Sequence, residues 1–205
     1  EVPAAIPLTG LTAYQGIVEQ LEAKPGDTLL IPGGSGSFGQ MAVPIAKQLG
    51  LKVIVTGNAR ARDSILALGA DQYIDYRKEN YWEMLSGVDY LLDTLGAAEF
   101  DHELSVLKEG GRLLSLRTGP NRQFAVDNNC PPWKKALFTL AGSKYDKAAA
   151  KQGKEYRFIF VRADGGQLRK IAEIVEKNQI MPAVDPHVFS LEQADQALKL
   201  VTDGS

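Results

Sequence analysis

The sequence predicts an α/β domain with a doubly wound, mostly parallel sheet. Six apolar, β-rich runs recur along the chain, and nearly every one leads into a stretch of helical character. The early runs are apolar throughout rather than alternating, as expected for strands covered by helices on both faces. A glycine-rich turn follows the first run and opens the first long helix. At 205 residues, 44% of them hydrophobic, the chain is long enough to bury roughly 70% of the surface its unfolded form exposes.

The elements follow in order. DTLLIP (27–32) is the first strand, with a helix over 37–49. KVIVT (52–56) precedes a helix over 60–69, QYIDY (72–76) one over 79–86, and VDYLLDT (88–94) one near 97–107. GRLLSL (111–116) leads through a loop to a helix near 133–150, and YRFIFV (156–161) is the sixth strand. KYDKAAAKQGKE (144–155) is polar enough to be a helix end and an exposed connection. Leu168, Ile171, Ala172 and Val175 share one helical side, and Ser190 with Gln193 forms a capping box before the last helix. Pro44 sits inside the helix after the glycine turn, where its missing N–H costs ~3 kcal/mol, so a kink is expected there.

Composition removes whole classes of function. The net charge of −2, with basic and acidic residues interspersed, leaves no footprint for nucleic acid or an anionic membrane surface. No apolar run approaches the roughly 20 residues that span a bilayer, and EVPAAIPLTG has no basic leader region. The expectation is a cytoplasmic protein. The single Cys130 cannot form an internal disulfide, and with only His102 and His187 it cannot build a cysteine zinc cage, so no metal site is expected. Both histidines read as structural or solvated.

The chemistry concentrates after the first strand. In Pro32-Gly33-Gly34-Ser35-Gly36-Ser37-Phe38-Gly39, the residues Gly34, Gly36 and Gly39 fit G-x-G-x-x-G between a strand and a helix, and the next strand ends near Thr56, about 20 residues on. Gly34 suits the tight turn, Gly36 lets a pyrophosphate approach backbone N–H groups, and Gly39 lets helix and sheet pack closely. The N–H donors and dipole of the helix then favour an anion. The pattern predicts a Rossmann-type dinucleotide site, and the competing reading is a glycine-rich turn that holds no ligand. No Lys-Ser or Lys-Thr follows the loop, which disfavours a P-loop NTPase.

At the end of the second strand, where a carboxylate would select NAD, stand Thr56, Gly57, Asn58, Ala59, Arg60, Ala61 and Arg62. The missing acid and two guanidinium groups favour NADP(H), because arginine matches phosphate oxygens. Arg60 and Arg62 point in different directions at i and i+2, so one meets the 2′-phosphate, with Arg60 preferred, and the other covers the adenine. The competing reading makes both solvated first-turn residues. Tyr76 ends the third strand, where it can contact adenosine or be an ordinary half-buried aromatic. Thr94, Leu95 and Gly96 follow the fourth strand, beside the expected nicotinamide ribose.

Three stretches, PLTGLTAYQGI (7–17), PGDTLLIPGGSGSFGQMAVPIAKQLG (25–50), and LGAD (68–71) with YIDYRKE (73–79), resemble the medium-chain dehydrogenase/reductase superfamily in its zinc-independent, quinone-oxidoreductase-like branch. VFSLEQADQALKLVTDG (188–204) resembles the region before that family's last strand. The resemblance implies a nicotinamide-binding Rossmann domain over 25–205, and a connecting segment and helix over 1–24 from an absent GroES-like substrate domain. It implies diphosphate contacts from Gly36, Ser37 and Phe38, a 2′-phosphate region at Thr56, Gly57, Asn58 and Arg60, Tyr76 beside the adenosine phosphate, and Thr12 near the nicotinamide. Ser35, Ser37 and Phe38 depart from the family's usual GGAGGVG loop. KEYRFIFVR (154–162) corresponds to the edge strand through which relatives pair, so a homodimer is expected.

The implied reaction is hydride transfer from NADPH to a quinone, enone or carbonyl, with the small-molecule substrate held by the absent domain and no turnover by this chain alone. No catalytic residue is assigned. Two alternatives stand: a non-catalytic NADPH-sensing or interaction module, and an S-adenosylmethionine-dependent methyltransferase, which would want an acid where Thr56 lies. A short-chain dehydrogenase is disfavoured, since Tyr73 meets Arg77 and Tyr145 meets Ala149 in place of Tyr-x-x-x-Lys.

Overall fold

The computed structural model describes residues 6–181 and 187–203. Residues 1–5 of the expected N-terminal segment and Gly204 of the closing stretch lie outside the described residues. The order is α1 (Pro7–Gln15), β1 (Thr28–Ile31), α2 (Ser37–Gln48), β2 (Lys52–Gly57), α3 (Arg62–Ala67), β3 (Gln72–Asp75), α4 (Tyr81–Met84), β4 (Val88–Asp93), α5 (Phe100–Val106), β5 (Leu107–Ser115), α6 (Arg122–Asp127), α7 (Pro132–Lys151), β6 (Glu155–Phe158), α8 (Gly165–Lys177) and α9 (Ala194–Asp203). A π-helical turn, Gly16–Gln20, extends α1.

The sheet runs β3-β2-β1-β4-β5-β6, and every pairing is parallel. The connection from β3 to β4 carries the chain across the sheet, so the strand order reverses between β1 and β4. Their carboxyl ends frame the crevice where open α/β sheets bind ligands. Alternate strand residues feed two cores. Leu29, Ile31, Val53, Val55, Leu92 and Leu114 meet α1, α2 and α8, whereas Leu30, Ile74, Leu91 and Leu113 meet α4, α5, α6 and α7. That two-sided burial explains the unbroken apolar runs.

The chain before β1 is integral to the first core. Leu11, Ala13, Ile17 and Leu21 are buried there, and a Cβ on Gly10 would lie 2.9 Å from Ile171 Cγ2. Gln15 Nε2 donates to Arg162 O (2.9 Å), the Arg162 N–H donates to Gln15 Oε1 (3.1 Å), and both Nη atoms of Arg162 reach the Glu19 carboxylate.

Several sequence expectations change. The fifth strand begins at Leu107 rather than 111, because the register jumps from Val88↔Leu107 to Tyr90↔Arg112 and the intervening Lys108–Gly111 segment bulges, with Gly110 at φ +75°. The sixth strand ends at Phe158, and Phe160 stands exposed, edge-on to Phe124 and Phe158. The connection after β5 contains a helix, α6, capped by Asn121 through its Phe124 N–H (3.0 Å). The helix expected over 79–86 is the single turn α4. α2 is continuous through a buried Pro44. On α8 Ala172 is exposed and Ile174 takes the core position. The Ser190–Gln193 capping box forms as expected. Among the described residues no helix is long and apolar enough to cross a membrane.

Candidate nucleotide-binding crevice

The glycine turn is built by close approach. Gly33 adopts φ +67° and donates its N–H to Thr56 Oγ1 (3.1 Å), and the Gly34 N–H returns to Ile31 O (3.2 Å). A Cβ on Gly39 would lie 1.8 Å from Gly34 O, so only glycine lets α2 begin against the turn. Gly36 is the opposite case, since a Cβ there meets nothing within 4 Å. It is the N-cap of the twelve-residue α2, in extended conformation and with no side chain capping the helix. The first N–H groups and the positive end of the dipole therefore face open space, a setting that suits an anion. Ser37 is exposed at the first helical position, and the Phe38 side chain packs against the core.

The ends of β2, β3 and β4 brace this turn. Thr94 Oγ1 donates to Pro32 O (2.7 Å), clasping the end of β4 to the end of β1. Tyr73, whose hydroxyl is pushed above its usual pKa by burial and by Asp75, donates to Asn58 O (2.6 Å). Asn58 Oδ1 accepts from the N–H groups of Arg60 (3.0 Å) and Ala61 (3.3 Å), starting the 3₁₀ turn Ala59–Ala61 that leads into α3. Arg60 and Arg62 are both exposed, and Arg62 folds back, Nη1 reaching Tyr73 O at 3.4 Å. Tyr76 is exposed at the end of β3, with the Arg77 guanidinium 5.8 Å over its ring.

Between these ends opens a cavity of about 440 Å³, lined by Gly33, Ser35, Thr56, Gly57, Asn58, Tyr76, Glu79, Tyr81, Trp82, Leu95 and Glu99. Trp82 stacks flat on His102, with ring centroids 3.8 Å apart, and His102 Nδ1 lies 3.4 Å from Glu99 Oε2. Tyr81 OH donates to the same oxygen at 3.5 Å. Burial, with the Glu103, Glu99 and Asp93 carboxylates around it, drives the Tyr81 hydroxyl far above its usual pKa. A larger open cavity of about 560 Å³ runs along β6, lined by Asn121, Arg122, Asp146 and Arg157 among others, away from the crevice.

Behind the cavity lies a buried acid pair. Asp93 Oδ1 accepts from the N–H groups of Leu95 and Gly96, both at 2.7 Å, and Oδ2 accepts from Ser115 Oγ (2.5 Å). Glu103 is fully buried, and neither carboxyl oxygen finds a hydrogen-bond partner among the described residues. Burial, reinforced by Asp93 and Glu99, pushes Glu103 up to about 10.

The structure thus brings Thr56, Gly57, Asn58, Tyr76 and Leu95 to one cavity beside the turn formed by Gly34, Gly36, Ser37, Phe38 and Gly39. Leu95, expected beside the nicotinamide ribose, shares the cavity with the residues expected at the adenosine end. Thr12 donates to Leu8 O (2.7 Å) within α1 and is not part of the cavity lining. Sequence reasoning missed Ser35, Glu79, Tyr81, Trp82 and Glu99, which reach the cavity from loops and a one-turn helix.

A family model described as zinc-binding dehydrogenase matches residues 68–205. The chain is 29% identical over 204 residues to the 2-methylene-furan-3-one reductase of Solanum lycopersicum, which covers 98% of this chain and 44% of that protein. It is 30% identical over 185 residues to the NADPH-dependent alkenal/one oxidoreductase, chloroplastic, of Arabidopsis thaliana, covering 89% of this chain and 39% of that one. The quinone oxidoreductase structure from Coxiella burnetii superposes with a TM-score of 0.77 at 26% identity, over 98% of this chain and 56% of that one. The chain therefore spans about half, or less, of the length of these relatives. Among the described residues no group of three or more His, Cys, Asp or Glu is placed to hold a metal ion, so the described residues do not fit zinc.

Proposed function

The chain belongs to the zinc-binding dehydrogenase family, in the quinone-oxidoreductase-like branch of the medium-chain dehydrogenase/reductase superfamily, and from that premise we propose that it is the nucleotide-binding part of an NADPH-dependent oxidoreductase. The observation that carries the reading is the uncapped N-terminus of α2 behind Gly36, open where a Cβ would meet nothing and closed beneath by the Gly34–Gly39 contact. That cradle fits a diphosphate.

In this reading the N–H groups of Ser37 and Phe38 hold the diphosphate, and Thr56 and Thr94 keep the turn in place. Adenosine lies in the 440 Å³ cavity against Tyr76 and Leu95, and Arg60, with no carboxylate at the end of β2, takes the 2′-phosphate. Arg62 turns one Nη toward Tyr73 O, which supports Arg60 as the phosphate ligand. When bound, the reduced nicotinamide supplies hydride to an electron-poor quinone, enone or carbonyl. The name of the Arabidopsis relative supports NADPH and an alkenal or alkenone acceptor. The substrate pocket, the catalytic groups and turnover belong to sequence beyond this chain, to which residues 1–24 connect. Two copies pair through the outer edge of β6, and the protein works in the cytoplasm.

The test is calorimetric titration of this chain with NADPH and NADH at one salt concentration. A preference for NADPH that collapses in Arg60→Ala supports the proposal. Equal binding removes the 2′-phosphate assignment, and binding of neither removes the nucleotide site.

A further inference from the structure

The cavity beside the glycine turn is chemically one-sided. Its apolar and aromatic lining, Tyr76, Tyr81, Trp82 and Leu95, suits a flat heterocycle, and its ionisable side chains other than the tyrosines are two carboxylates, Glu79 and Glu99. Glu79 is exposed, where water competes for its oxygens, whereas Glu99 is only partly accessible. Glu99 is also held in one orientation. Tyr81 OH and His102 Nδ1 both converge on Oε2, at 3.5 and 3.4 Å, and the imidazole is itself fixed by stacking on Trp82. A carboxylate steadied through one oxygen presents the other as a preorganised acceptor, and an ionised carboxylate offers no donor.

Resting on the nucleotide reading above, we propose that Glu99 is the base-reading residue of this crevice, accepting a hydrogen bond from the exocyclic amine of an aminopurine and rejecting an oxopurine. An amine at that edge satisfies the carboxylate. A carbonyl oxygen in the same place sets two acceptors against each other at the edge that Glu99 reads. Tyr81 and His102 are positioning residues that act through Glu99.

The experiment compares calorimetric binding of NADPH and of its hypoxanthine analogue, in which the adenine amine is replaced by a carbonyl oxygen and N1 carries a proton. Wild type, Glu99→Gln and Glu99→Ala are measured side by side, with thermal unfolding confirming that each variant is folded. Wild type is expected to prefer NADPH by about 10- to 100-fold, the scale of a hydrogen bond to a charged group. Glu99→Gln, whose amide can accept or donate, brings the two ligands to near-equal affinity by strengthening the analogue. Glu99→Ala reaches near-equality by weakening NADPH. Equal wild-type affinities, or a preference that survives in Glu99→Ala, would overturn the base-reading role while leaving the nucleotide site standing. Failure of both ligands to bind wild type would overturn the nucleotide reading itself.

Discussion

Replacing Glu103 with glutamine changes one atom of a buried side chain and isolates the cost of keeping an acid there. In the folded chain Glu103 is fully buried, its carboxyl oxygens find no hydrogen-bond partner among the described residues, and burial with Asp93 and Glu99 pushes the carboxyl up to about 10. In the unfolded chain it titrates near 4.3. Between these values the unfolded state gives up a proton that the folded state keeps, so stability falls as pH rises through the whole window. At about 1.36 kcal/mol per pH unit, the wild type loses ~4 kcal/mol between pH 5 and pH 8 through this residue alone. That is a large share of the 5–15 kcal/mol typical of a domain. Glu103→Gln keeps the shape and removes the titration. Urea unfolding of both proteins from pH 5 to pH 8, followed by far-ultraviolet circular dichroism, should give stability curves that diverge by about 4 kcal/mol, with the variant the more stable at pH 8. Parallel curves would refute the argument, because Glu103 would then be ionised or hydrated in the native state.

The glycine turn separates folding from binding. Gly39→Ala forces a Cβ to within 1.8 Å of Gly34 O and should destabilise the chain by about 3 kcal/mol, whereas Gly36→Ala enters open space and should cost under about 1 kcal/mol, the scale of a poorer N-cap, while weakening NADPH binding at least about tenfold. Arg60→Ala should cost NADPH about 10- to 100-fold in affinity and NADH almost nothing, and Arg62→Ala should have the smaller effect, both read by calorimetry. Glu19 is held below its usual pKa by Arg162, so the pair stabilises above the unfolded value near 4.3 and loses its contribution as pH falls through the lowered folded value. Because Arg162 is 57% exposed, Glu19→Gln should cost only about 0.5 kcal/mol at pH 7 and nothing near pH 2, as measured by denaturant unfolding.

The strand and helix succession and the glycine turn were legible because each is a local pattern: an apolar run, a helix-opening glycine cluster, a missing acid after β2. The bulged start of β5 was hidden, since Lys108, Glu109 and Gly110 read as a loop, and Leu107 joins the strand only because Val88 of β4 lies beside it before the bulge. The short helix α6 has little periodicity of its own and exists through Asn121, which caps it while donating to Asp146 Oδ1 and Tyr156 O, contacts 25 and 35 residues away. The far wall of the cavity was equally illegible, because Tyr81, Trp82 and Glu99 converge only once β3 and β4 are placed across the sheet. Glu103 did leave a trace. Phe100, Glu103 and Leu104 fall at i, i+3 and i+4, which puts a carboxyl group in the apolar stripe of α5.

The central claim is that a dinucleotide lies across the carboxyl ends of β1, β2 and β4, and amide chemical-shift mapping of the chain during an NADPH titration tests it most directly. The largest shifts should fall on Gly33–Gly39, Gly57–Arg60, Tyr76 and Leu95–Gly96, with the Trp82 indole N–H moving in step. Shifts gathered instead along Asn121, Arg122 and Tyr156–Arg157, at the larger cavity beside β6, or no shifts at saturating NADPH, would contradict it.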